Sequence, residues 1–84
     1  MDSATTVFNV NDIDNVLVEQ ILSEVYEALE EKGYNAINQI VGYLISGDPG
    51  YISTYKESRK KISKLERTQI VEILLRNYIK KWDI

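Results

Sequence analysis

The sequence predicts an all-α fold, a compact small bundle of about four helices behind a flexible N-terminal tail. Two long segments, about 13–32 and 64–81, repeat apolar residues at helical spacing with charged residues between them. The four glycines and the single proline all fall between Gly33 and Gly50, so the signals that end helices and turn the chain are gathered in one stretch. The alternation of Thr6, Phe8 and Val10 with Thr5, Val7 and Asn9 is too short for a sheet and precedes the first helical repeat. Residues 1–11 are therefore expected as a mobile tail, with room for a short docked strand near Phe8, and residues 12–84 as one helical domain. At 84 residues an isolated core is marginal, which favours burial against a partner.

The first helix is expected from about Ile13 to Lys32, with Asp12 as N-cap and Asp14 as the alternative cap. At about 100° per residue, Leu17, Val18, Ile21, Leu22, Val25, Ala28 and Leu29 share a face, opposite Glu19, Glu24, Glu27, Glu30 and Glu31. A solvated acidic face explains those carboxylates, because no other ligand type shares their spacing. Gly33 ends this helix, Asn35 caps the next, and Gly47 ends that one in turn. The second helix, about Ala36–Ser46, should turn Ile37, Ile40, Val41, Leu44 and Ile45 inward. Gly42 within it costs about 1 kcal/mol against alanine, so another backbone or an aromatic ring is expected to approach closely there. Tyr34, Tyr43 and Tyr51 flank this helix as aromatic anchors, and Asn38 and Gln39 are placed to bond the loop that follows.

Asp48 should cap and Pro49 open the next element. Gly47-Asp48-Pro49-Gly50 invites comparison with a phosphate loop. It has no preceding strand and no Gly-Lys-Ser/Thr ending, and Asp48 would repel the anion, so a connecting turn is the better reading. A third helix is expected over Thr54–Ile62 with Ser53 as cap. Tyr55, Ile62 and Leu65 fall in a narrow arc, and Lys56, Lys60, Lys64 and Arg67 line nearly the opposite side. Ser63-Lys64-Leu65-Glu66 has capping-box spacing and suggests a break before a fourth helix over Lys64–Lys81, with one unbroken helix the alternative. In the fourth, Ile70, Val71, Leu74, Leu75, Tyr78, Ile79 and Trp82 cover nearly half the circumference, wide enough both to join a core and to dimerise.

Charge is distributed unevenly. The net charge is −3, yet up to Tyr34 the acids outnumber a single lysine, whereas Lys56, Arg59, Lys60, Lys61, Lys64 and Arg67 cluster later. Such asymmetry fits a nucleic-acid site, or two halves or two copies lying against each other; the negative total favours the second. The chain has no cysteine and no histidine, which removes disulfides, thiolate metal sites and imidazole catalysis. Its apolar runs are far shorter than the roughly 20 residues that span a bilayer, and Met1-Asp2-Ser3-Ala4-Thr5 lacks a basic leader start, so a cytoplasmic protein without cofactor or membrane insertion is expected.

Glu31-Lys32-Gly33-Tyr34-Asn35, Ile37-Asn38-Gln39-Ile40-Val41-Gly42-Tyr43, Ser46-Gly47-Asp48-Pro49 and Leu65-Glu66-Arg67 resemble the IreB family of small regulatory phosphoproteins from Gram-positive bacteria. The similarity is densest from Glu30 to Arg67 and continues more loosely to the last helix. The family commonly has proline where this chain has Ala36 and Ser53, and alanine where it has Gly50, differences in cap and turn strength. The resemblance implies a homodimeric helical protein without known enzymatic activity. It implies phosphorylation on an N-terminal threonine by a membrane-anchored Ser/Thr kinase with extracellular peptidoglycan-binding repeats, reversal by a cognate phosphatase, and a role in cell-envelope stress.

By the same resemblance Thr6, standing before Val7-Phe8, matches the family's phosphoacceptor. A second acceptor three residues earlier falls on Ser3, and Thr5 is the nearest threonine to it. A phosphorylated tail should be repelled by the acidic first helix and attracted to Lys56, Lys60, Lys64 and Arg67, on the same chain or across a dimer. The dimer interface is expected to include Tyr43, Leu74, Leu75, Tyr78 and Trp82, and a downstream protein partner is left unnamed. The rival class is a DNA- or RNA-binding helical module that uses the same basic stripe on phosphates.

Overall fold

The first apolar repeat folds as a 22-residue helix, α1, spanning Val10–Glu31 in the computed structural model, which describes residues 10–82 and their side chains from residue 15 onward. It begins before the expected start at Ile13, so Asp12 and Asp14 lie inside the helix rather than at its cap. The spacing of Val10, Ile13, Leu17 and Ile21 in the sequence continues the helical repeat by one turn, which accounts for the earlier start. The acceptors Ser3, Thr5 and Thr6 lie outside the described residues.

Helix α2 spans Ala36–Ser46 as expected. The Asn35 side chain accepts from the Asn38 N–H, and Gly47, at φ 77°, donates its N–H to the Tyr43 carbonyl in a left-handed C-cap. The chain then takes one 3-10 turn, Pro49–Tyr51, whose start is capped by the Asp48 carboxylate accepting from the Gly50 N–H at 2.8 Å. Gln39 Nε2 donates to the Tyr51 carbonyl at 2.9 Å and fixes this turn against α2. The expected aromatic at Gly42 is Tyr51, whose ring would lie 2.5 Å from a Cβ at that position.

The expected helix over Thr54–Ile62 is broken. A 3-10 turn at Tyr55–Glu57 runs into a short α3, Ser58–Ile62, through two consecutive left-handed residues, Lys56 (φ 53°) and Glu57 (φ 59°). For non-glycine residues such backbone costs roughly 1–2 kcal/mol each. The Ser53 Oγ accepts from the Tyr55 N–H at 3.0 Å, but the N-cap of the 3-10 turn is Thr54, which makes no side-chain cap bond. Helices α3 and α4 are not continuous, but the break is not a capping box. Ser63 ends α3 with its Oγ donating to the Lys60 carbonyl, and α4 begins later, at Arg67–Lys80, behind Glu66 with no side-chain cap.

The core lies between α1 and the other helices, with α3 its main partner. Val18, Ile21, Val25 and Leu29 of α1 meet Ala36 and Tyr43 of α2, then Ile52, Ile62 and Leu65, then Ile70 and Ile73 of α4. Ser58 is the buried polar residue of this core, and its Oγ donates to the Tyr55 carbonyl at 2.7 Å. Among the described residues no helix is long and apolar enough to cross a membrane.

Candidate functional site

The basic residues expected to form one stripe are divided by the fold. Lys56 is drawn to the last residue of α1, where its Nζ sits 3.0 Å from Glu31 Oε1 and 3.1 Å from Oε2. The Tyr55 hydroxyl donates to the same carboxylate at 2.9 Å. The ammonium groups of Lys32 and Lys56 lie 5.0 and 5.5 Å from the centre of the Tyr55 ring, within cation–π range. Glu31 is consequently held below the usual carboxylate range, first by the Lys56 hydrogen bond and then by that of Tyr55, while Tyr55 and Lys56 are both pushed up, chiefly by bonding to Glu31.

Lys61 pairs with Glu24 at 3.0 Å, and its hydrogen bond lowers the Glu24 carboxyl. Arg67 is spent on the end of α2: its guanidinium donates to the Leu44 carbonyl at 3.1 Å and lies against Gly47, where a Cβ would come within 2.8 Å of Cζ. Arg59 Nε donates to the Ile52 carbonyl at 2.9 Å. Of the expected stripe, Lys60 and Lys64 are exposed and pair with no carboxylate among the described residues. The fold thus leaves Lys60 and Lys64 as the members of the stripe whose side chains no partner engages among the described residues, while an acidic side chain already holds Lys56.

The glycine-rich turn is closed to anions by its own bonds. Gly50 N–H is satisfied by Asp48, Gly47 N–H by the Tyr43 carbonyl, and Asp48 N–H by Ser46 Oγ at 3.0 Å.

Two apolar surfaces remain uncovered. On α2 the expected inward stripe is divided: Ile40 and Leu44 pack partly against the core, Ile37, Val41 and Ile45 are exposed, Ile45 to 78%, and Ala36 and Tyr43 are the buried residues. On α4, Ile70 and Ile73 face the core, and Val71, Leu74, Leu75, Tyr78, Ile79 and Trp82 are exposed. The rings of Tyr78 and Trp82 meet edge to face, 5.3 Å between centroids. An open groove of about 790 Å³ joins the two helices, with Tyr43, Leu44, Leu65, Arg67, Val71 and Leu75 along it. Of the residues expected at an interface, Leu74, Leu75, Tyr78 and Trp82 are at the surface, while Tyr43 is largely enclosed by its own chain.

Sequence reading missed the carboxylates that divide the stripe. Glu31 stands 24 and 25 positions from Tyr55 and Lys56, and the acidic face of α1 gave no sign of which glutamate would be engaged. The one available signal was the charge asymmetry, which favoured two halves or two copies lying against each other, and Glu24–Lys61 and Glu31–Lys56 are contacts of the first kind. The model of the IreB regulatory phosphoprotein family matches residues 3–80, nearly the whole chain and including all three tail hydroxyls expected as acceptors. The protein therefore belongs to the IreB family of regulatory phosphoproteins.

Proposed function

We propose that this regulatory phosphoprotein has no enzymatic activity of its own and acts in the cytoplasm as a homodimeric substrate of a membrane-anchored Ser/Thr kinase and its cognate phosphatase, in cell-envelope stress signalling. Thr6 is the leading phosphoacceptor, Thr5 the next, and Ser3 the third. The observation that carries this reading is the extent of the family match, which starts at residue 3 and so takes in the hydroxyls ahead of α1 as well as the helices. A kinase needs its acceptor in accessible, extended backbone, and the residues ahead of α1 carry no helical repeat.

Phosphate adds about −1.5 to −2 charges at neutral pH, which the acidic face of α1 repels and Lys60 and Lys64 attract. Thr6 stands four positions ahead of Val10, where α1 begins, so an extended backbone between them spans about 14 Å. The rival nucleic-acid reading loses support because Lys56 and Lys61 are paired with glutamates and Arg67 with a carbonyl, which leaves few cations for phosphates.

The test is phosphotransfer by the kinase to the wild-type chain and to a Thr5→Ala/Thr6→Ala double variant, read by intact mass and site mapping. Loss of the added phosphate in the variant supports the assignment, and equal transfer rejects it. Docking of the phosphorylated tail on the lysines should weaken as salt rises, whereas steric blocking of a partner that reads Val7-Phe8 should not.

A further inference from the structure

We propose that residues 54–58 form a two-state turn, held kinked by Glu31, whose release lets the segment straighten into a helix that returns Lys56 to the side of Lys60. This deepens the reading above by naming how a phosphorylated tail would act on the fold, and that part rests on it.

Local preference and observed conformation disagree here. Thr54-Tyr55-Lys56-Glu57-Ser58 has no glycine, proline or asparagine, yet Lys56 and Glu57 both sit in the left-handed region, at φ, ψ of 53°, 31° and 59°, 28°. Strained backbone persists only where surrounding contacts impose it. The side-chain contacts that reach this turn from α1 converge on one carboxylate: Glu31 takes the Lys56 ammonium and the Tyr55 hydroxyl together, with Lys32 over the Tyr55 ring. Both ends of the segment are anchored separately. Arg59 Nε donates to the Ile52 carbonyl, and Ile52, Ser58 and Ile62 are buried, so a rearrangement can be confined to the residues between, at the expense of the Arg59 N–H bond to the Ser53 carbonyl.

In a continuous helix the Arg59 N–H would transfer to the Tyr55 carbonyl, and Lys56 and Lys60 would lie one turn apart on one face. Their side chains would then offer paired cations to a phosphate ester. Lys56 and Glu31 are about half exposed, at 55% and 46%, so an arriving anion can compete for Lys56 without opening the core. A phosphate dianion is a stronger acceptor than a carboxylate and favours the straight state in proportion to its preference for the aligned lysines.

The test reads the Cα and Cβ chemical shifts and sequential NOEs of Lys56 and Glu57 by NMR on the full chain. Wild type should show left-handed signatures at both. Glu31→Ala should move both to right-handed helical values, and the neighbouring Glu30→Ala should leave them unchanged. Adding Glu57→Gly, which makes positive φ inexpensive, should return the Glu31→Ala chain to the kink. Retained left-handed shifts in Glu31→Ala, or random-coil shifts across 54–58, would overturn the proposal. In a separate arm the wild-type chain carries phosphate on Thr6. Helical shifts at 56 and 57 then extend the latch to the tail; a kink that persists there while Glu31→Ala straightens leaves the latch standing and removes tail docking.

Discussion

The ring of Tyr51 lies across the backbone of Gly42, so close that a Cβ at position 42 would fall 2.5 Å from Cε1 and 2.6 Å from Cδ1. The glycine therefore buys a contact between the 3-10 turn and α2 at the expense of helix propensity. Gly42→Ala should destabilise the protein even though alanine alone would favour the helix by about 1 kcal/mol. In a Tyr51→Ala background the sign should reverse, with Gly42→Ala stabilising by up to about 1 kcal/mol. Urea unfolding of the four chains measures both effects. The same sign in both backgrounds would mean that the ring is not what this glycine accommodates.

The bounds of α2 and the turn that follows it were legible because they are written locally: Asn35, Gly47 and Asp48 bond as their residue types predict. The face that each helix buries was less legible. The apolar arc of α2 covers about half its circumference, so periodicity bounds the buried face without fixing it: Ala36 and Tyr43 are buried, Ile40 and Leu44 are partly covered, and Ile37 and Val41 are exposed. On α4 the inward pair Ile70 and Ile73 continues to Asn77, which donates to Glu19 at 3.1 Å, a polar contact that an apolar template passes over. The kink at Lys56 and Glu57 carried no glycine or proline to announce it, and the carboxylate that Lys56 meets sits on another helix.

Burial divides the leucines of α1 in a way that stability measurements can check. Leu29 is fully buried, Leu22 is only partly covered, and Leu17 is exposed, although all three share the predicted face. Leu29→Ala should cost about 2–5 kcal/mol. Leu22→Ala should cost less than about 2 kcal/mol and Leu17→Ala less than about 1 kcal/mol, because less area leaves water at those positions. A larger loss at Leu17 than at Leu29, by denaturant unfolding at one protein concentration, would mean that a partner buries the outer face.

Stability should respond to pH through the Glu31 cluster at both ends of the range. Glu31 and Glu24 are lowered, so their pairs stabilise the fold above the unfolded carboxyl value near about 4.3, and that contribution disappears as pH falls through the lower folded values. Tyr55 and Lys56 are raised, so their contribution is complete below unfolded values of about 10 and is lost as pH rises through the higher folded ones. NMR titration should show an early-ionising Glu31, and Glu31→Ala should bring Tyr55 and Lys56 back down. A Tyr55 that stays raised in that variant would place its cause elsewhere.

The uncovered face of α4 leads to the prediction on assembly. Leu74, Leu75, Tyr78 and Trp82 present a broad apolar surface, Trp82 exposed to 63%, on which the rings of Tyr78 and Trp82 meet edge to face. Large aromatic side chains at the centre of an apolar surface are the usual anchors of an interface. Wild type should sediment as a dimer at micromolar concentration. Leu75→Asp or Tyr78→Asp should weaken association at least about tenfold, the effect of about 1.4 kcal/mol, with helix content by circular dichroism unchanged. Ile45→Asp separates the two apolar helices, because it disperses the dimer only if α2 shares the interface. A wild-type chain that stays monomeric across the micromolar range would reject self-association, and the exposed α4 face would then belong to a different protein.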